Sequence, residues 1–171
     1  MSTELTITST VITSIITFLV LHFIIEPRKE KRRKREEKLK NLYAPLYTKL
    51  VTKLIEVPEA WRDQDADMIL IKERELKQVK EKDQFVQFVL NNSRYASVEL
   101  LEEIHKFVER VERERHFPTH NHFISVDELV KVVVREYNKL KKGLGEDWDE
   151  KELNYGVPTF IEQSIKQSIK K

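Results

Sequence analysis

The residues most able to do chemistry in this chain are three histidines in one short segment, His116-Phe-Pro-Thr-His120-Asn-His122. Neutral imidazoles ligate zinc, nickel or iron, and Glu112, Glu114 or Asp127 could add a carboxylate. The spacing speaks against such a site. A helix-borne His-Glu-x-x-His pair puts two rings on one face, whereas here Pro118 fixes a backbone dihedral between the first two rings and the segment reads as a loop. His116, His120 and His122 are therefore expected to be solvated loop residues without a metal. His105, beside Lys106, is expected at the surface of a helix, and His22 is expected to snorkel at the end of an apolar run.

The carboxylates are equally unspecific. Glu99 and Glu103 share a helix face, and Glu102, Asp147, Asp149 and Glu150 add more acids, but charge-rich helices produce such pairs routinely. Ser-His-Asp chemistry has no nucleophile elbow to support it. The chain has no cysteine, so disulfides, thiolate ligands and a thiolate nucleophile are excluded. Its only glycines are Gly143, Gly145 and Gly156; Trp148 stands where a dinucleotide fingerprint needs its third glycine, and no P-loop Lys-Ser or Lys-Thr pair follows. The expectation is a protein without catalytic residues and without a cofactor.

The elements that would have to position any site are more legible. Leu5 to Ile25 contains thirteen aliphatic or Phe residues, seven Ser or Thr, one His and no Asp, Glu, Lys or Arg. At the α-helical rise such a run is about 31 Å long, close to the hydrocarbon thickness of a bilayer. No positive n-region precedes it and it ends in Glu-Pro-Arg-Lys rather than a small-residue cleavage site, so it reads as a retained transmembrane helix within residues 1–25. Residues 26–40 read as a basic juxtamembrane helix: from Arg28 to Lys40 nine basic residues face three acids, a local net charge of +6. Arg28, Lys29, Lys31, Arg32, Arg33, Lys34, Arg35 and Lys38 are expected to hold the protein in place against anionic headgroups, and their position implies an inner-membrane, single-pass chain with the N-terminus outside and the C-terminus cytoplasmic. Nucleic acid is not an expected partner, because the basic run lacks interleaved aromatics for stacking.

Residues 41–171 carry 22 basic and 24 acidic side chains, so the positive character belongs to the collar alone. The 3.6-residue period dominates this part, and the fold class is all-α, a helical bundle of about four to five helices. Leu39, Leu42, Tyr43, Leu46, Tyr47, Leu50, Val51, Leu54 and Ile55 form one stripe, with bends expected at Pro27 and Pro45 and a break at Pro58. A sparse stripe runs through Met68, Ile71, Leu76 and Val79, then a stop at Asn91-Asn92-Ser93, where Asn tolerates the left-handed conformation. Ser97 to Arg115 should be a helix facing inward through Val98, Leu101, Ile104, Phe107, Val108 and Val111, with Glu102–Lys106 and Glu109–Arg113 pairs outside. Ser125-Val-Asp-Glu128 has the form of a capping box, heading a helix that carries Leu129, Val133, Tyr137 and Leu140 and ends before Gly143. A last helix is expected from Pro158-Thr159 onward.

The segment Leu42-Tyr-Ala-Pro-Leu-Tyr47 resembles one found after the anchor in small uncharacterised single-pass bacterial inner-membrane proteins, over about ten residues of 171. The resemblance implies the same location and no activity; by position alone Tyr43 and Tyr47 would be interfacial aromatics. Together these features point to a membrane-anchored interaction, scaffold or sensing module at the inner membrane face. Trp148, Tyr155, Phe160 and Ile161 are the expected surface for a protein partner. The alternative is a membrane-acting effector, of the toxin or phage-exclusion type, that self-associates as a homo-oligomer through hydroxyl-rich spanning helices.

Overall fold

The computed structural model describes residues 13–55, 70–72, 79–116 and 123–159. These form a long helix α1 (13–55), α2 (Val79–Asn91), a 3-10 turn at Ser93–Tyr95, α3 (Val98–His116), α4 (Asp127–Leu144) and α5 (Glu150–Tyr155). The expected helical bundle is present. The sparse stripe around Ile71 is not helical throughout: β1 (Leu70–Lys72) pairs antiparallel with β2 (Phe123–Ser125), with Ile71 opposite Ile124. Three residues are too few for an alternating pattern to show, and the partner lies far along the chain, so local periodicity misses this ribbon.

α1 turns its expected stripe inward. Leu39, Leu42, Tyr43, Leu46 and Leu50 are all buried. The two prolines do not break the helix. Each follows a π-turn, Leu21–Ile25 before Pro27 and Leu39–Tyr43 before Pro45. Proline lacks an N–H and its ring collides with the carbonyl four residues back; a wider turn moves that carbonyl aside. The residue preceding each proline accordingly donates five residues back, Glu26 to the Leu21 carbonyl and Ala44 to the Leu39 carbonyl.

α4 is the centre of the bundle, packed by α1, α3 and α5. It buries Leu129, Val130, Val132, Val133, Val134 and Leu140. α1 runs antiparallel to it: Arg35 lies against Gly143, and Tyr47 stacks on Tyr137 a few turns further on. α3 is held to α1 by Tyr43, whose hydroxyl donates to Ser97 Oγ at 3.3 Å and accepts the Ser97 N–H at 3.1 Å. Ser97 Oγ in turn accepts the Leu100 N–H at 3.2 Å, which caps α3.

Several local expectations need correction. The helix starts later than the capping-box pattern places it: Ser125 ends β2, α4 begins at Asp127 after Val126 as its N-cap residue, which supplies no side-chain cap, and Glu128 pairs with Lys131 at 3.2 Å. Strand pairing has taken the residue that local sequence assigns to the cap. α4 runs through Gly143 and stops at Gly145, which has φ 76° and donates to the Lys142 carbonyl while Glu146 donates to Lys141. α2 does end at Asn91, but no non-glycine residue among those described has positive φ; instead the Asn92 side-chain amide donates to the Phe88 carbonyl at 2.9 Å. On α3, Val98 and Leu101 are exposed while Leu100 is fully buried, Lys106 pairs with Glu103 rather than Glu102, and Glu109 faces His105. The short helix α5, capped by Asp149, was not foreseen because six residues carry no period.

The expected membrane span is described only from residue 13; residues 5–12, Pro58 and the helix expected beyond Thr159 lie outside the described residues. Among the described residues no helix is long and apolar enough to cross a membrane. What is described of the run is an α1 arm whose Ile15, Ile16, Phe18, Leu19, Val20, Leu21, Phe23 and Ile24 are all exposed, between 39% and 68%.

Two glycines with the same left-handed backbone test the packing at the ends of α4 and α5. A Cβ at Gly145 meets nothing within 4 Å, whereas one at Gly156 comes within 2.8 Å of the Lys131 Cα. Gly145→Ala should therefore cost about 1–2 kcal/mol of backbone strain. Gly156→Ala should cost about 2–5 kcal/mol, because overpacking against α4 adds to the same strain. Urea unfolding of the two variants measures the difference; equal losses would contradict the packing of α5 on Lys131.

Candidate binding cleft

A cleft lies where α1, α4 and the turn into α5 meet. It encloses about 360 Å³ and is lined by Tyr47, Tyr137, Asn138, Lys141, Asp147, Trp148, Asp149 and Glu152. Tyr47 and Tyr137 stack with centroids 4.3 Å apart and planes 16° from parallel. The Lys141 ammonium lies 5.5 Å from the Tyr137 ring centre and the Lys142 ammonium 4.2 Å from that of Trp148.

At the floor is a carboxylate held only by neutral donors. Glu152, 6% exposed, accepts the Tyr47 hydroxyl at 3.0 and 3.1 Å, the Asn138 amide at 2.9 Å and the Thr159 N–H at 2.9 Å. Asn138, itself 1% exposed, also donates to the Val134 carbonyl at 3.0 Å and accepts the Asp149 N–H at 3.0 Å. Asp149 closes the circuit. One oxygen accepts the Lys151 and Glu152 N–H groups, and the other accepts the Thr159 hydroxyl at 2.7 Å. That hydroxyl, followed by the backbone donors, holds the Asp149 carboxyl below its ordinary value. Burial first, and the Glu152 charge second, push the Tyr47 phenol well above its own.

Chemically this is a positioning and binding arrangement. Glu152 is immobilised by its donors. The lining carries three carboxylates and one ammonium, so its field favours a positive charge. Sequence reasoning placed Trp148 near a binding surface and missed Glu152, Asn138, Tyr47 and Tyr137 as a unit. Tyr43 and Tyr47 are not interfacial: Tyr43 is buried at 1% exposure on the Ser97 cap and Tyr47 is half-buried in the cleft. Asn138, a polar residue on the buried face of an otherwise apolar stripe, was the available signal.

The other expected site residues fall as follows. Tyr155 is 64% exposed on α5, and Phe160 and Ile161 lie outside the described residues. His116 is exposed at the end of α3 and His105 is exposed on it, while His120 and His122 lie outside the described residues. Arg28, Lys29, Lys31, Arg32, Arg33 and Lys34 are exposed along α1, with i,i+4 contacts Lys34–Glu30, Arg32–Glu36 and Arg33–Glu37. Lys38 is half-buried, and Arg35 turns to the bundle, donating to the Gly143 carbonyl at 2.9 Å. That carbonyl is one of the last in α4, where the helix dipole favours a cation. Arg35 thus caps α4, a role its place in a run of basic residues conceals.

No protein-family model matches this chain, and no similar curated protein or solved structure is found.

Tyr47→Phe tests the network. At neutral pH it removes a donor from a buried carboxylate and should cost about 1–3 kcal/mol. The raised phenol pKa also fixes a sign. Stability from the protonated hydroxyl is fully present below the ordinary value of 10.0 and falls as pH rises above it, because the unfolded tyrosine ionises first. Urea unfolding from pH 8 to 11, bracketing that ordinary value, should show a shallower alkaline loss in Tyr47→Phe than in the parent chain.

Proposed function

We propose that this chain is a membrane-anchored helical interaction module, with its N-terminal arm in the bilayer, its basic collar on anionic headgroups and its bundle holding a protein partner on the cytoplasmic side. The observation behind this proposal is the α1 arm. Eight large apolar side chains from Ile15 to Ile24 stand exposed on a helix that passes without interruption into a run of exposed Lys and Arg. An uncovered apolar surface of that size on one helix asks for a nonpolar environment, and adjacent cations suit the anionic surface beside it. The resemblance of Leu42–Tyr47 to the post-anchor segment of small bacterial inner-membrane proteins agrees with it. For the partner, the half-exposed Trp148 lines a cleft whose acidic lining favours a basic side chain, and Tyr155 is exposed on α5.

The full chain should float with lipid vesicles and resist extraction at high salt. Changing Arg32, Arg33 and Lys34 to Glu, while sparing the α4 cap Arg35, should weaken the preference for anionic over zwitterionic vesicles and give mixed insertion of a C-terminal cytoplasmic reporter. A chain that stays with the aqueous fraction would refute the anchor. Loss of membrane potential on induced expression would favour the self-associating effector over the scaffold.

A further inference from the structure

The two π-turns of α1 share their local chemistry and differ in their surroundings. In each, the N–H before the proline reaches five residues back, and the proline itself donates nothing. The turn at Leu39–Tyr43 buries Leu39, Leu42 and Tyr43, and the Tyr43 hydroxyl is tied to Ser97. The turn at Leu21–Ile25 buries none of its residues. Just beyond it, Glu26–Lys38 is fixed to the bundle through Arg35 on the Gly143 carbonyl. On its near side His22 Nδ1 lies 2.7 Å from Glu26 and the His22 ring lies against Phe18 and Phe23, partners on α1 itself. We infer that Leu21–Pro27 is a hinge on which the apolar arm swings relative to the bundle, while Leu39–Pro45 is the same bend locked by burial. Weakened backbone hydrogen bonding and a fixed support on one side are what a helix hinge needs, and the exposed side chains of the arm from Ile15 to Ile24 give the bend no burial to lock it. The arm can then change its tilt without disturbing the packing of α1 on α4. This goes beyond the membrane proposal and stands without it.

The chain has no cysteine, so paired spin labels can be placed cleanly on the full-length protein in detergent. Thr17→Cys with Glu99→Cys spans the hinge, and Lys31→Cys with Glu99→Cys lies wholly on the bundle side; all three sites are exposed. Thr17 is ten residues from Pro27, about 15 Å along the helix, so a bend of about 20° displaces it by about 5 Å. The first pair should give a distance distribution broader than the second by about that amount, and Pro27→Ala should remove the excess. The Lys31–Glu99 pair shows in the same variant whether the bundle remains intact. Equal widths for the two pairs, or an excess that Pro27→Ala leaves unchanged, would overturn the hinge. Either result is independent of vesicle flotation, so failure of the anchor and failure of the hinge are told apart.

Discussion

The burial of α4 against α1 is the constraint on which the rest of the fold depends. Val132, Val133 and Val134 are consecutive and all at or below 5% exposure. At 100° per residue they cover about 200° of the helix, so no single neighbour can bury them. α1, α3 and α5 must each supply a wall, and these are the elements that pack on α4. The magnitudes favour this arrangement over local preference. A β-branched residue costs up to about 0.7 kcal/mol of helix propensity. Burying each side chain returns about 1.5–3 kcal/mol.

The polar centre beside those valines determines how the C-terminal part joins the bundle. Asn138 and Glu152 are buried polar groups that would be costly unless satisfied, and each is satisfied by the other and by nearby backbone. α5 is only six residues long and could not fold alone. It is fixed by the Asp149 cap at one end, by the close approach of Gly156 to Lys131 at the other, and by Glu152 between them. The same bonds shape the cleft, because the turn carrying Asp147, Trp148 and Asp149 is held by the Asp149 N–H on Asn138.

α1 joins two regions of opposite character. Its later part, with Leu42, Tyr43 and Leu46, belongs to the core, and its first described part is an exposed apolar arm. Between them lies a basic stretch in which Arg35, still exposed, donates to the Gly143 carbonyl near the end of α4. That bond, with the local density of partners around the second π-turn, makes the collar part of the folded body. The first π-turn buries none of its residues.

The sequence by itself determined the helical class, the inward face of α1 and the course of α3 and α4, because each rests on a period that a dozen or more residues repeat. It also marked Asn91–Ser93 as a stop and the apolar arm with its collar, since these depend on composition along one stretch. Tertiary structure decided what depended on distant partners. Ser125 is a capping residue by local pattern and a strand residue in the fold, because Leu70 is available to pair with it. Tyr43 and Tyr47 have one spacing and one side-chain type, yet one caps α3 through Ser97 and the other binds the Glu152 carboxylate. Arg35 is one of nine cations between Arg28 and Lys40, and only the end of α4 beside it makes it a cap. The cleft was legible only at Trp148, because its floor is assembled from residues more than a hundred positions apart, Tyr47 and Glu152, whose attraction acts through space and leaves no local pattern along the chain.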